Sequence, residues 1–190
     1  MGRPRKFEEE RAVEAAMRAF WRAGYEATST EDLCTATGLG RSSIYNTFAS
    51  KRELFVKALL RYMEQREAAL AELLDGDLPL QEKMRTVLWW AVDPDPGEPP
   101  GCLVVRSMTE LAPHDPEIAG LLRRDNDRRR EMLRAAIEAG RARGEVDPGK
   151  DPVALAHFVF ATVAGLRVSE QGGTDRSGLE LVARIALDAF

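Results

Sequence analysis

Residues 29–55 read STEDLCTATGLGRSSIYNTFASKRELF, and this stretch constrains the chain more than any other. Ser29 is a good N-cap, and Asp32 falls in the first turn behind it, near the positive end of the helix dipole. Leu33 and Ala36 face inward from that short helix. Gly38 breaks it, and Leu39 plugs the turn. A second short helix, about residues 41–48, carries Ile44 and Phe48 on one side, four apart, with Ser42, Ser43 and Asn46 largely on the other. Ser50 and Glu53 then make the S-x-x-E pattern of a capping box and open a third, longer helix. Two short helices joined by a tight turn form the helix-turn-helix plan, whose second helix fits the major groove of DNA.

Groove readout asks two things of that second helix. Its inner side must be apolar, so that the helix is held rigidly, and Ile44 and Phe48 meet this need. Its outer side needs small residues and donors for base edges and phosphates. Arg41, Ser42, Ser43, Tyr45 and Asn46 supply them. Arg41 can bond guanine O6 and N7, and Asn46 can bond adenine or a phosphate. Tyr45 and Lys51 are placed for backbone phosphates, Lys51 at a helix N-terminus that itself attracts anions.

The charge distribution agrees. Residues 1–52 hold nine Lys and Arg against seven Asp and Glu, and the remainder holds 18 against 24. The net charge of −4 hides this basic front. Gly2, Arg3, Pro4, Arg5 and Lys6 form a basic arm that either tracks phosphates or enters the minor groove, or is only a solvated tail.

Every other periodic segment is also helical. Val13, Ala16, Met17 and Phe20 mark one face of a helix over about residues 8–23, ended by Gly24. The helix opened at Ser50 runs to about residue 74 without a linker. Further helices are expected near residues 80–92, 102–111, 115–143, 151–171 and 176–190. Asp115-Pro116 and Asp151-Pro152 are N-cap and N1 pairs, and the Pro- and Gly-rich residues 93–101 form a loop. The expectation is an all-α chain of about nine helices: a DNA-binding domain over residues 1–52, with its helix-turn-helix near 29–48, and a larger helical domain over 53–190.

No nucleophile–base constellation and no metal-ligand spacing is readable, and only two histidines are present. No catalytic residue, metal site or cofactor is predicted, and the chain reads as a non-enzyme. Cys34 and Cys102 are the only cysteines, too few for a disulfide framework. Residues 1–11 are charged and lead into no apolar signal segment, so a cytoplasmic protein without a membrane span is expected.

Residues 7–55 resemble the TetR family of bacterial transcriptional regulators. The residues that carry the likeness are Gly24-Tyr25-Glu26-Ala27-Thr28-Ser29, Asp32-Leu33, Gly38-Leu39, Ile44-Tyr45-Asn46-Thr47-Phe48 and Ser50-Lys51-Arg52-Glu53-Leu54-Phe55. The resemblance implies a homodimer on a near-palindromic double-stranded operator, acting as a repressor that a small molecule releases. It also implies that Thr28, Ser29, Tyr45 and Lys51 hold phosphates while Arg41, Ser42, Ser43 and Asn46 face the groove. Gly40 stands where the family often caps this helix with Ser or Thr, and Asn46 stands where His is common, so base preference is not carried over.

The C-terminal half is read for a dimer and a pocket. Residues 153–168, VALAHFVFATVAGLRV, are apolar on nearly every side and predict a helix buried on most of its sides. Ala154, Phe158, Ala161 and Gly165 there, with Val182 and Ile185 on the last helix, are the expected interface of a four-helix isologous contact. His157 is read as a packed or interface histidine. Met84, Leu88, Trp89, Met108, Leu111 and Phe158 either line a pocket for an apolar or aromatic effector or simply make core. Glu110 either pairs a cationic ligand or bonds Arg106. Two alternatives stand beside ligand release: a helix-turn-helix architectural or interaction module without a ligand, and a thiol-based redox sensor through Cys102.

Overall fold

The computed structural model describes the backbone of residues 3–190 and the side chains of residues 8–190. Gly2 and the side chains of residues 3–6, the anticipated basic arm, lie outside the described residues. Among those described there are nine α-helices and no strand. They are α1 (Arg3–Ala23), α2 (Thr30–Thr37), α3 (Arg41–Phe48), α4 (Lys51–Asp75), α5 (Leu80–Val92), α6 (Leu103–Glu110), α7 (Pro116–Ala142), α8 (Pro152–Gln171) and α9 (Arg176–Leu187). The boundaries differ from expectation only at the ends. The start of α1 precedes its apolar stripe, which periodicity alone detects, and Cys102 is the N-cap of α6 rather than its first residue.

Two compact units are formed, and both cut across chain order. One joins the residues through Gln65 to Cys102–Gly120, and the other joins Arg66–Gly101 to Leu121–Phe190. Both α4 and α7 therefore supply residues to each unit.

The first unit is built around aromatic rings. Phe20 and Phe55 are essentially buried and meet edge to face at 5.1 Å, and Tyr25 meets Phe55 at 5.0 Å. Trp21 meets Tyr62 at 4.9 Å. Leu33 of α2 and Ile44 and Phe48 of α3 are buried in the same unit. Each such side chain stabilises the fold by about 1.5–3 kcal/mol. The turn between α2 and α3 depends on Gly38, whose φ of +71° lies in the left-handed region and whose amide donates to the Cys34 carbonyl.

The second unit packs α5 against α8 and α9, with α8 and α9 also in contact. Met84, Leu88, Ala91, Ile137, Val159 and Ala183 are at its centre. Several of its polar groups are tied to the main chain or to one another. Lys83, though buried, donates from Nζ to the Leu74 carbonyl at the end of α4, and the Leu80 amide donates to Glu145. Asp125 and Arg129 pair one turn apart on α7, and burial pushes the Asp125 carboxyl up.

In the single chain α8 is buried on one face, and the residues expected at a dimer interface lie on the other. Leu155, Ala156, Val159 and Leu166 are buried, but Val153, Ala154, His157, Phe158, Ala161, Gly165 and Val168 are exposed. A continuous apolar run cannot distinguish a helix buried all round from one with a core face and a second, open face. Length and composition alone would also let α8 cross a bilayer, a test that core helices of soluble proteins pass as well.

Gly140, within α7, is a packing position. A Cβ there would lie 2.6 Å from Leu80 Cδ2 and 3.1 Å from Leu80 Cβ, and Leu80 is buried. Replacing a helical Gly by Ala normally gains up to about 1 kcal/mol, but overpacking costs about 1–3 kcal/mol. Gly140→Ala is expected to lower stability by about 1 kcal/mol in denaturant titration. An increase would mean that Leu80 yields freely.

Candidate nucleic-acid interface

The surface that includes α3 is assembled from four pieces: the α1–α2 corner, the first turn of α2, α3 itself and the first turn of α4. Ser29 caps α2 reciprocally. Its Oγ accepts from the Asp32 amide at 3.1 Å, and Asp32 Oδ2 accepts from the Ser29 amide at 2.8 Å. Ser29 Oγ also donates to the same Oδ2 at 2.6 Å. These bonds, the Ser29 hydroxyl's foremost, hold the Asp32 carboxyl below its usual range.

On α3, Ile44 and Phe48 turn inward while Arg41, Ser42, Ser43, Tyr45 and Asn46 are all exposed. The inward and outward sides match the expected pattern. Gly40 precedes the helix with no side-chain cap. Tyr45 Oη lies 3.3 Å from Thr30 Oγ1, which ties the outer side of α3 to the start of α2. That bond is the main influence lowering the Tyr45 phenol, with the Arg41 guanidinium also contributing. Arg41 stands 5.9 Å from the centre of the Tyr45 ring. After α3 the chain turns sharply: Ala49 has φ +56°, a left-handed value unusual for a residue with a Cβ.

Ser50 Oγ accepts from the Glu53 amide at 3.0 Å at the start of α4. Lys51, in that first turn, places Nζ 4.4 Å from the centre of the Tyr25 ring, and Tyr25 rests on Phe20 and Phe55. Burial is the largest influence raising the Tyr25 phenol. Arg52, beside Lys51, is bound by Asp115 and Glu117.

One expected phosphate contact is corrected. Thr28 is buried, and its Oγ1 donates to the Gly24 carbonyl at 2.5 Å. Its hydroxyl closes the α1–α2 corner and does not face outward. The Ser29 hydroxyl is exposed but committed to its cap. Two residues that sequence reading left out belong here: Thr30, which holds Tyr45, and Tyr25, which supports Lys51. The Tyr25 position was visible in the motif, but its ring–ammonium contact has no local sequence signal.

The residues anticipated for an effector pocket are divided between the two units. Met84 and Leu88 are fully buried core of the second unit, with Trp89 packed beside them under the Arg85 guanidinium at 5.4 Å. Met108 is 40% exposed and Phe158 42%, because each turns from its helix towards solvent. Glu110 is engaged with the main chain of the α1–α2 corner. It accepts from the backbone amides of Tyr25 and Glu26. Leu111, half-buried, lies in the first unit with Met108 and Glu110. An open groove of about 220 Å³ does lie between α7 and α8, but it is lined by Asp127, Arg130, Glu131, Arg134, Val153, Ala156 and His157. Among the described residues no group of three or more His, Cys, Asp or Glu is arranged to hold a metal.

Comparison with known proteins bears directly on this surface. The sequence profile of bacterial regulatory proteins of the tetR family matches residues 12–58, and that of the C-terminal part of BetI-type transcriptional repressors matches residues 79–189. The transcriptional repressor ComR of Escherichia coli strain K12 is 31% identical over 98% of this chain and 90% of its own length. An uncharacterized transcriptional regulator of Bacillus subtilis strain 168, YezE, is 31% identical over 84% of each chain. Among solved structures, the TetR-family regulator CifR, a cysteine mutant complexed with 26-bp operator DNA, superposes with a TM-score of 0.84 at 28% identity over 95% of each chain. With both halves matched and the helix-turn-helix geometry in place, the chain belongs to the TetR family of DNA-binding transcriptional regulators.

Proposed function

We propose that this regulator is a homodimeric repressor whose α3 helices enter successive major grooves of a near-palindromic operator, and which a small molecule releases. The observation that carries the reading is the two-sided character of α3: five exposed groove-type side chains on a helix whose other side is buried. In this reading Arg41, Ser42, Ser43 and Asn46 face base edges, and Tyr45 and Lys51 hold phosphates. Ser29 contributes through its position at the N-terminus of α2. The DNA-binding function belongs to residues 1–52, and effector binding and dimerisation belong to residues 53–190. Repression is the sense favoured by ComR and by the BetI-type profile, and work on chromosomal DNA makes the cytoplasm the natural location.

The dimer reading is supported by an open apolar face. Ala154, Phe158, Ala161, Gly165, Val182 and Ile185 are all exposed in the single chain, Ile185 to 70%. Val153, Val168 and Leu181 extend the same character. An apolar stripe on two packed helices, with small residues at its centre, suits an isologous contact with a second copy. His157 stands on this side of α8 with Nδ1 3.3 Å from Arg130 Nη1.

The effector is an apolar or planar molecule in this reading, and α4 and α7, which serve both compact units, are the elements through which its occupancy reaches Lys51. The thiol alternative rests on Cys102, half-buried, whose Sγ accepts from the Tyr62 hydroxyl at 3.5 Å. Titrating operator binding with candidate metabolites, and separately with peroxide, divides the readings. Loss of binding to peroxide that Cys102→Ser abolishes favours the thiol. No response to any pocket-filling compound favours an architectural module.

Tyr45→Phe is expected to weaken binding to every duplex with little change in salt dependence, since a neutral hydroxyl releases no counterion, and Lys51→Ala to weaken it and flatten the salt dependence by about 0.9. An unchanged slope for Lys51→Ala contradicts its phosphate role. Arg41→Ala is expected to change the sequence that the protein enriches from random DNA as well as its affinity, by about 1–3 kcal/mol. Recovery of the same motif would rule out direct readout by Arg41. Ala161→Asp is expected to give monomers in sedimentation, and an intact dimer would place the interface elsewhere.

A further inference from the structure

Two carboxylates from residues 102–120 grip the DNA-facing elements of their own unit. Glu110, the last residue of α6, spans the α1–α2 corner: Oε2 accepts from the Tyr25 amide at 3.1 Å and Oε1 from the Glu26 amide at 2.6 Å. One turn earlier on α6, Arg106 Nη1 donates to the Ala23 carbonyl at 3.4 Å. The approach is close enough to require glycine. Gly24 has φ +89°, and a Cβ there would sit 2.8 Å from Glu110 Oε2 and 3.1 Å from Arg106 Cδ. Asp115 makes the second grip. As the N-cap of α7, its Oδ1 accepts from the Glu117 and Ile118 amides at 3.0 and 3.1 Å. The same carboxylate takes Arg52 in a fork, Nε to Oδ2 at 3.0 Å and Nη2 to Oδ2 at 2.9 Å, with Glu117 adding a bond to Nη2 at 2.8 Å.

These bonds end on backbone and side chains directly attached to the proposed phosphate contacts. Tyr25, held by its amide, carries Lys51 on its ring, and Arg52 follows Lys51 in the first turn of α4. The corner held by Glu110 leads through Thr28 to the Ser29 cap. By charge alone, three carboxylates so near a phosphate-facing surface oppose DNA binding.

We infer that Glu110 and Asp115 are positioning residues for operator binding, fixing the α1–α2 corner and the first turn of α4 so that Lys51 and the start of α2 meet one phosphate track. This rests on the major-groove reading of α3. It makes a prediction opposite in sign to simple electrostatics: removing the negative charge weakens specific binding.

The test uses the full chain, the duplex that the unsubstituted protein enriches from random DNA, and a scrambled duplex of the same composition. Glu110→Gln keeps the size of the side chain but leaves one acceptor for two amides. Asp115→Ser keeps a capping hydroxyl for α7 and releases Arg52. Each is expected to bind the enriched duplex about tenfold more weakly. Binding to the scrambled duplex changes much less, since non-specific binding uses the Lys51 charge without a fixed register, and the salt slope on the enriched duplex flattens by up to about 0.9 as the Lys51 phosphate contact is loosened. Thermal melting is recorded in parallel, and if Glu110→Gln fails to fold, Asp115→Ser alone decides. Equal or tighter binding to the enriched duplex by the folded variants overturns the proposal and leaves only a charge effect. A uniform loss on both duplexes also overturns it in favour of general destabilisation. Failure of the parent to enrich any duplex is seen first and removes the DNA reading on which the proposal rests.

Discussion

The contact between Phe20, Phe55 and Tyr25 is the interaction on which the DNA-facing surface depends. Phe20 comes from α1, Phe55 from α4 and Tyr25 from the corner leading to α2, so one aromatic cluster fixes three elements at once. Its outer edge carries the Lys51 ammonium. A ring face offers a cation an attractive but soft partner, which limits where the ammonium rests while leaving it free to meet a phosphate. The apolar core and the cationic surface are thus the two sides of a single ring. Ile44 and Phe48 serve α3 in the same way, since a helix that reads base edges must not rock on its support.

Much of this was legible in the sequence because its determinants are local. The Ser29–Asp32 cap, the Gly38 turn and the alternation of Ile44 and Phe48 with Ser42, Ser43 and Asn46 are spelled within eight-residue helices, and the structure forms them all. Thr28 was misread because its polar side chain carries no sign of burial. Only the fold reveals that its hydroxyl meets the Gly24 carbonyl four residues back. Glu110 offers a side-chain partner nearby in Arg106, but the partners it takes are backbone amides 84 and 85 positions away, and main-chain groups leave no mark in a sequence.

The residues anticipated for a pocket are ambiguous for a different physical reason. Met84, Leu88, Met108 and Phe158 are all large and apolar, and size and hydrophobicity do not say whether a side chain fills a core, faces a partner or surrounds a ligand. Met84 and Leu88 proved to be core, while Met108 and Phe158 are exposed. The two faces of α8 follow the same logic. Its apolar residues divide between a face packed on α5 and α9 and a face left in solvent, and the exposed apolar residues of α9 add to that second face.

The most direct test of the account is methylation interference on the duplex enriched from random DNA. Methyl groups at guanine N7 obstruct the major groove, while those at adenine N3 obstruct the minor groove. Two α3 helices in successive major grooves predict N7 interference at two sites on one face of the duplex, their centres about 34–36 Å apart. Interference confined to adenine N3, or spread evenly along the duplex, would contradict major-groove reading by α3.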